Sequence, residues 1–179
     1  MKRMHGMLVV GLCLALLFCY AGSAAAESTS SSGAPTSARL DFQITIPTIL
    51  YLQVGTTGGT IDVVHFPSPG LPPTSVAADS GAVNVRVATL TPSGQTVTLV
   101  ANSSTALSDG THTIPFTEIS WAATGNFTGG TFNGLVGQQL DQWTGPGNRT
   151  GTYSFTYGNS TYYSPGAYTG RVTYTLSSP

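Results

Sequence analysis

The sequence predicts an all-β fold, a single antiparallel β-sandwich. Several short segments alternate apolar with polar residues, which is the pattern of strands that bury one face. No window of helical length keeps a 3.6-residue apolar period, and 22 glycines and 11 prolines punctuate the chain. Short strands with such punctuation indicate two packed antiparallel sheets in an immunoglobulin-like arrangement. The clearest strand is the C-terminal one, whose inward face is predicted to comprise Tyr168, Gly170, Val172, Tyr174 and Leu176.

The first 26 residues have the features of a secretory signal peptide. A basic start at Lys2 and Arg3 precedes an apolar run over residues 8–20, and three alanines end the segment at Ala26. The run is shorter than the roughly 20 apolar residues of a membrane-spanning helix. We therefore expect cleavage after Ala26 and export to the periplasm, the cell surface or the medium, with no membrane span in the mature chain.

The predicted mature chain contains no cysteine, lysine or methionine, because Cys13, Cys19, Lys2 and all three methionines fall within residues 1–26. Disulfides, lysine isopeptide crosslinks, Schiff-base catalysis and thiol catalysis are thereby excluded. The six basic residues, less Lys2 and Arg3, leave four arginines against seven acidic residues. They form no basic cluster, so neither nucleic acid nor an anionic membrane is an expected partner.

A Ser-rich stretch and an alternating segment open the predicted mature chain. Residues 27–38 lack large apolar side chains, so we expect a flexible arm there. Residues 39–179 are expected to form one β-sandwich domain. Its first predicted strand is the alternating segment, residues 40–46, which Pro47 ends. The apolar residues of this segment are Leu40, Phe42, Ile44 and Ile46.

The middle of the chain predicts further strands. Residues 82–90 and 95–101 are predicted to pair as an antiparallel hairpin, because Pro92 and Gly94 between them suit a type I turn. Residues 134–147 fit a loop, a short helix or an edge strand. Other strands are predicted at residues 48–54, 60–66, 113–121 and 151–157, the third with a break in its alternation near Glu118.

No motif specifies a catalytic, metal or cofactor site. His65 and His112 each lack the neighbouring His or Cys ligands of a zinc site. No Gly-x-Ser-x-Gly elbow is present, and the spacing of the acidic residues selects no pair for glycoside hydrolysis. We therefore predict a non-enzymatic protein with no cofactor.

Aromatic residues in the weakly patterned, Gly-rich segments allow two interpretations. They could form a loop-borne patch that stacks on sugars or binds a protein. They could equally close the ends of the sandwich, whereas Trp121 is a predicted core residue. The five candidates are Phe127, Phe132, Trp143, Tyr162 and Tyr163.

The C-terminal segment carries a family resemblance. Residues 165–176, PGAYTGRVTYTL, follow a Ser-rich exported arm, an alternating segment and a β-rich middle, and together they resemble a fimbrial subunit of the chaperone–usher pilin type. The resemblance implies a sandwich lacking one strand, which the alternating segment of the next subunit would complete. It also implies other pilus subunits and a periplasmic chaperone as partners. The alternative is that the alternating segment forms this domain's own first strand.

A second resemblance concerns the same C-terminal residues. They resemble the distal motif of WxL cell-wall-binding domains, with Tyr174 in the place of the usual Trp. The leading hypothesis is a secreted, non-enzymatic surface protein, a fimbrial or pilin-like subunit that self-associates by β-strand pairing. The alternative is a monomeric module that binds carbohydrate or cell wall through loop aromatics, and an exported hydrolase comes third.

Overall fold

A computed structural model describes residues 27–179. The predicted signal peptide lies outside these described residues. The chain divides into two units: one ends at Thr45, and the other is a compact body from Ile46 to Pro179. Within residues 27–48 there is no strand, so the predicted strand at residues 40–46 is not formed in the structure. In the same part of the chain, residues 27–179, there is no helix long and apolar enough to cross a membrane.

Eleven strands and one short 3₁₀ turn make up the described part of the body. The 3₁₀ turn spans Phe116–Glu118 and interrupts the alternation where the sequence predicts a break. The strands are β1 (Ile49–Val54), β2 (Val76–Ala77), β3 (Val83–Leu90), β4 (Thr96–Asn102), β5 (Leu107–Ser108), β6 (Thr113–Ile114), β7 (Ile119–Ala123), β8 (Gly130–Thr131), β9 (Gln138–Thr144), β10 (Gly147–Tyr157) and β11 (Thr173–Ser177).

The strands form two main antiparallel sheets. The larger sheet has the order β1-β3-β10-β7-β8, with β2 paired to β10, and the smaller has the order β11-β4-β9. Strand β10 lies at the centre of the larger sheet, where its Thr, Tyr and Phe residues suit a pleated surface covered by neighbours. A two-stranded ribbon of β5 and β6 adds to these sheets. The all-β antiparallel sandwich predicted from the sequence is thus confirmed.

The core lies between the two sheets. Val87 of the larger sheet and Leu99 of the smaller are fully buried, as is Tyr153 at the centre of β10. Trp121 is also a core residue, as predicted, and its ring lies 4.8 Å from that of Phe132. Aromatic packing of this kind adds to the stabilisation from apolar burial. The remaining core members are Val85, Ala101, Phe116, Ile119, Phe127 and Phe155.

The predicted hairpin of β3 and β4 is wrong. Strand β3 pairs with β1 and β10, whereas β4 pairs with β9 and β11, so the turn between them passes from one sheet to the other. Pro92 accepts a hydrogen bond from the Gln95 amide at 3.2 Å, and Gly94 takes a positive φ of 85°. Positive φ at the third turn position is the type II pattern, one residue later than predicted.

Two other segments were predicted with mixed success. Residues 60–66 form no strand, although Val64 and Phe66 pack against the core from an irregular backbone. Among the three alternatives for residues 134–147, the structure has an edge strand, β9. An irregular segment can alternate apolar and polar residues when its apolar side chains cover a core. The alternation over residues 60–66 therefore predicts a strand that does not form.

The C-terminal strand is shorter than predicted, and three of its five predicted inward residues pack against the core. Strand β11 begins at Thr173, and the preceding Thr169 makes an isolated antiparallel bridge to Ser108. Val172, Tyr174 and Leu176 pack against the core. Alternation therefore identified the inward face although it overestimated the length of the ladder.

Candidate strand-pairing site

The alternating segment exposes four large apolar side chains. In the structure Leu40 is 59% exposed, Phe42 and Ile44 are each 85% exposed, and Ile46 is 73% exposed. Burial of such a side chain stabilises by roughly 1.5–3 kcal/mol, so a partner that buried these four side chains would gain a large binding free energy. Isolated exposed apolar residues are ordinary, but a contiguous exposed set marks an interaction site.

The Ser-rich residues before that segment form a looped structure. The guanidinium of Arg39 donates two hydrogen bonds to the Glu27 carboxylate, at 2.8 and 3.1 Å. Between them, the Thr29 hydroxyl donates to the Ser37 carbonyl at 2.7 Å. The Arg39 contact lowers the pKa of Glu27. These contacts are exposed, so they organise the loop without adding much stability.

Two edge strands of the body face the same side of the sandwich. Strand β11 has one edge paired with β4, and strand β1 has one edge paired with β3. No other strand of residues 27–179 pairs with either outer edge. Cα atoms of β1 and β11 approach within 8 Å, yet no backbone ladder joins these strands. Unpaired edges of this kind can accept a strand from another chain.

The core is incompletely covered between these two edges. The side chains of Leu52 and Val54 on β1 are only half-buried, as are those of Tyr174 and Leu176 on β11. Leu99, in the middle of the same small sheet, is by contrast fully buried. We call the half-buried surface formed by the inward residues of β1 and β11 the edge groove. It offers apolar contact and unpaired backbone groups together.

A polar rim surrounds the start of β11. Asn102, Thr169, Gly170 and Arg171 line an open depression of about 500 Å³ together with Thr105 and Thr173. Arg171 is exposed and has no ion-pair partner in the part of the chain that the structure describes. This end of the rim therefore carries an uncompensated positive charge.

Gly170 lies close to the core just before β11. A Cβ added there would lie 3.1 Å from Leu107 and from the Phe116 ring. That distance is shorter than ordinary van der Waals contact, so the glycine lets the chain pass against the core before β11 begins. The sequence predicts this glycine on the inward face but gives no reason for it.

The five candidate aromatics do not form one exposed patch. Phe127 and Phe132 are core residues, with their side chains at least nine-tenths buried. Trp143 is half-buried, makes an edge contact with Phe127 at 5.8 Å and stacks under the Arg149 guanidinium at 4.9 Å. Tyr163 is half-buried, and Tyr162 is 76% exposed. Phe127 and Phe132 therefore belong to the core and not to an exposed patch.

Glu118 organises the loop that carries Tyr162 and Tyr163. Its carboxylate accepts hydrogen bonds from the Ser160 amide at 2.9 Å, from the Ser160 hydroxyl, and from the Tyr163 hydroxyl at 3.2 Å. Partial burial opposes ionisation, but these bonds outweigh it and lower the pKa of Glu118. Burial and the nearby Glu118 charge raise the pKa of Tyr163 to about 12. Sequence reasoning missed this cluster because 42 residues separate Glu118 from Ser160.

Each histidine of the body contacts one aspartate. His65 Nδ1 lies 2.8 Å from the Asp79 carboxylate, and His112 Nδ1 lies 3.2 Å from that of Asp109. The backbone amides of His112 and Thr111 lower the pKa of Asp109 to about 2. Among residues 27–179, no group of three His, Cys, Asp or Glu side chains is placed to hold a metal ion.

Two features of the described residues therefore suit an interaction with another chain. One is the set of exposed, alternating apolar residues, and the other is the pair of unpaired sheet edges. Comparisons with protein-family models, curated proteins and solved structures found no match to this chain.

Proposed function

We propose that this protein is a secreted, non-enzymatic structural subunit of a bacterial cell surface, which assembles like a pilin by β-strand pairing between copies. In this proposal, the alternating segment of one copy adds to the edge groove of the next. Repetition of that contact is heterologous, so it extends into a filament unless it closes into a ring. The partners are other copies, related pilus subunits and, during export, a periplasmic chaperone.

The exposure of the alternating segment is the observation that carries this proposal. Four apolar side chains spaced two residues apart occupy one face of any extended chain. Strand addition uses this pattern, since the backbone extends a sheet while alternate side chains enter apolar pockets. Leu40, Phe42, Ile44 and Ile46 are 59–85% exposed, so their burial in such pockets would favour association.

The edge groove supports the proposal from the other side. Its edges are unpaired within the described residues, and its inward side chains are half-buried. A strand needs about 4.8 Å to each neighbour, so insertion between β1 and β11 requires their closest approach of less than 8 Å to widen.

The carbohydrate-binding alternative has less support. It relied on a cluster of exposed loop aromatics, but Phe127 and Phe132 are buried in the core. Tyr162 is exposed by itself, and Trp143 already packs against Arg149 and Phe127. An exported hydrolase would need a pair of acidic groups in a cleft, whereas Asp79 and Asp109 each approach a histidine instead.

The proposal is tested by the mass of the full mature chain, residues 27–179, in sedimentation experiments over a range of concentrations. We expect the mass to rise with concentration. Changing Phe42→Glu and Ile44→Glu together should weaken association by more than about a hundredfold, since burial of each apolar side chain is worth roughly 1.5–3 kcal/mol.

The matched control changes the opposite face of the same segment, Gln43→Glu and Thr45→Glu. It adds the same charge in the same place without removing an apolar side chain, so association should persist. The proposal would be overturned if the wild-type chain stays monomeric at all concentrations. It would also be overturned if the two double variants associate equally well.

A further inference from the structure

We infer that the alternating segment of one copy runs parallel to β11 of the next, with Asp41 of the first beside Arg171 of the second. This inference rests on the proposed function and adds the direction and register of the contact. It is carried by the match of two alternating patterns and by one pair of opposite charges.

The apolar patterns match over three consecutive inward positions. In the parallel register that places Asp41 beside Arg171, Phe42 lies beside Val172, Ile44 beside Tyr174, and Ile46 beside Leu176. Each pair joins an exposed side chain of the segment to a half-buried side chain of β11 or, for Val172, of the residue directly before it. A shift by one residue would turn every apolar side chain of the segment to solvent, so only even shifts remain possible.

Charge, together with the apolar match to β11, selects among the even shifts and between the two directions. Asp41 is the one acidic residue of residues 40–46, and Arg171 is the one basic residue of residues 165–179. Both side chains are exposed, and neither has an ion-pair partner in the described chain. Both also lie on the polar faces of their alternating patterns. Opposite charges on neighbouring strands favour pairing and, more importantly, fix the register.

The antiparallel arrangement satisfies the apolar pattern beside β11 or the charged pair, but not both. With Ile44 again beside Tyr174, it places Asp41 beside Ser177 and leaves Arg171 beside Pro47. Proline cannot donate a backbone hydrogen bond to the ladder. An antiparallel register that does place Asp41 beside Arg171 puts Phe42 beside Gly170 and Ile44 beside Tyr168, before β11 begins. Only the parallel register joins the charged pair and also places Ile44 and Ile46 beside Tyr174 and Leu176.

Cysteine pairs test the direction, because the predicted mature chain has no cysteine of its own. A disulfide needs Cα atoms within about 7 Å. In the parallel register the variant Thr45→Cys/Thr175→Cys should form disulfides between chains under mild oxidation. The variant Asp41→Cys/Ser177→Cys should not, since its two positions would lie roughly 20 Å apart.

Charge reversal tests the register independently. We expect Asp41→Arg and Arg171→Asp each to weaken association about three- to tenfold. A mixture of the two variants should recover association between unlike chains, because each restores an opposite pair for the other. The neutral change Gln43→Asn, on the same face, is the control and should have no effect.

The outcomes separate this inference from the proposed function. Crosslinking of Asp41→Cys/Ser177→Cys without crosslinking of Thr45→Cys/Thr175→Cys would overturn the parallel direction. Disulfides that form only within single chains would overturn the contact between copies. Association that depends on Phe42 and Ile44 but ignores both charge reversals would overturn the register alone. Association that ignores the apolar residues too would overturn the proposed function itself.

Discussion

The Tyr163 hydroxyl donates a hydrogen bond to the Glu118 carboxylate at 3.2 Å, which connects a loop after β10 to the start of β7. Ser160 donates to the same carboxylate through its amide and its hydroxyl. Glu118 is therefore the single residue that holds this loop through three donors. The ionisation of Glu118 and the ionisation of Tyr163 each lead to a prediction.

Acid should loosen the loop at residues 158–165. The hydrogen bonds lower the folded-state pKa of Glu118 from an ordinary value of 4.5, so its stabilising effect is present above pH 4.5 and is lost as the pH falls through the lowered pKa. Glu118→Gln should remove this pH dependence and cost about 1 kcal/mol at neutral pH. Urea unfolding of both proteins between pH 3 and 7 measures the effect, and a parallel decline in both would contradict it.

Ionisation of Tyr163 at alkaline pH should also lower the stability of the folded protein. Its folded-state pKa is raised from 10.0 to about 12, so the folded state retains a proton that the unfolded chain loses. Stability is therefore unaffected below pH 10 and declines between pH 10 and about 12. Tyr163→Phe should decline less over that range in chemical unfolding, and an unchanged decline would show that Tyr163 ionises freely in the folded protein.

Gly170 should tolerate no side chain. A Cβ there would lie 3.1 Å from both Leu107 and Phe116, so Gly170→Ala should destabilise the body by about 1–3 kcal/mol through overpacking. Gly59 has no heavy atom within 4 Å of an added Cβ, so Gly59→Ala is the matched control and should be close to neutral. Thermal unfolding compares the two. Equal stabilities would mean that the segment before β11 is loosely packed.

Tyr153 should gain nothing from its hydroxyl. The side chain is fully buried, and the hydroxyl has no hydrogen-bond partner among the described residues. Removing an unsatisfied polar group is neutral or favourable, so Tyr153→Phe should leave stability unchanged or raise it by about 1 kcal/mol. Tyr153→Ala should cost roughly 3–5 kcal/mol because it leaves a cavity. A substantial loss in Tyr153→Phe would reveal an internal water bound to the hydroxyl.

The sequence was a good guide to faces and a poor guide to partners. Tyr174 and Leu176 point inward as their alternation predicts, since a period of two follows from local geometry. The pairing of strands depends on long-range packing instead. A compact turn at Pro92 is compatible with either a hairpin or a sheet crossing. The crossing places Val87 and Leu99 in different sheets around one core.

Alternation also does not require a strand in the structure. Phe42 and Ile44 alternate as clearly as any residues in the chain, but they belong to no strand of the described residues. Alternation records which residues share a face in an extended chain, and a partner strand must still supply the hydrogen bonds. Alternation places Tyr174 on the inward face, but the extent of its burial depends on which strand lies beside β11 and could not be predicted.

Hydrogen exchange at β11 tests the central claim most directly. Strand β11 pairs with β4 on one side, so its amides that point to the other side are unprotected in an isolated copy. We expect the exchange of these amides in residues 173–177 to slow as the concentration of full-length mature chain rises, and to remain fast in the Phe42→Glu/Ile44→Glu variant. Exchange in β11 that is independent of concentration, in a sample that has assembled, would show that the copies associate through another surface.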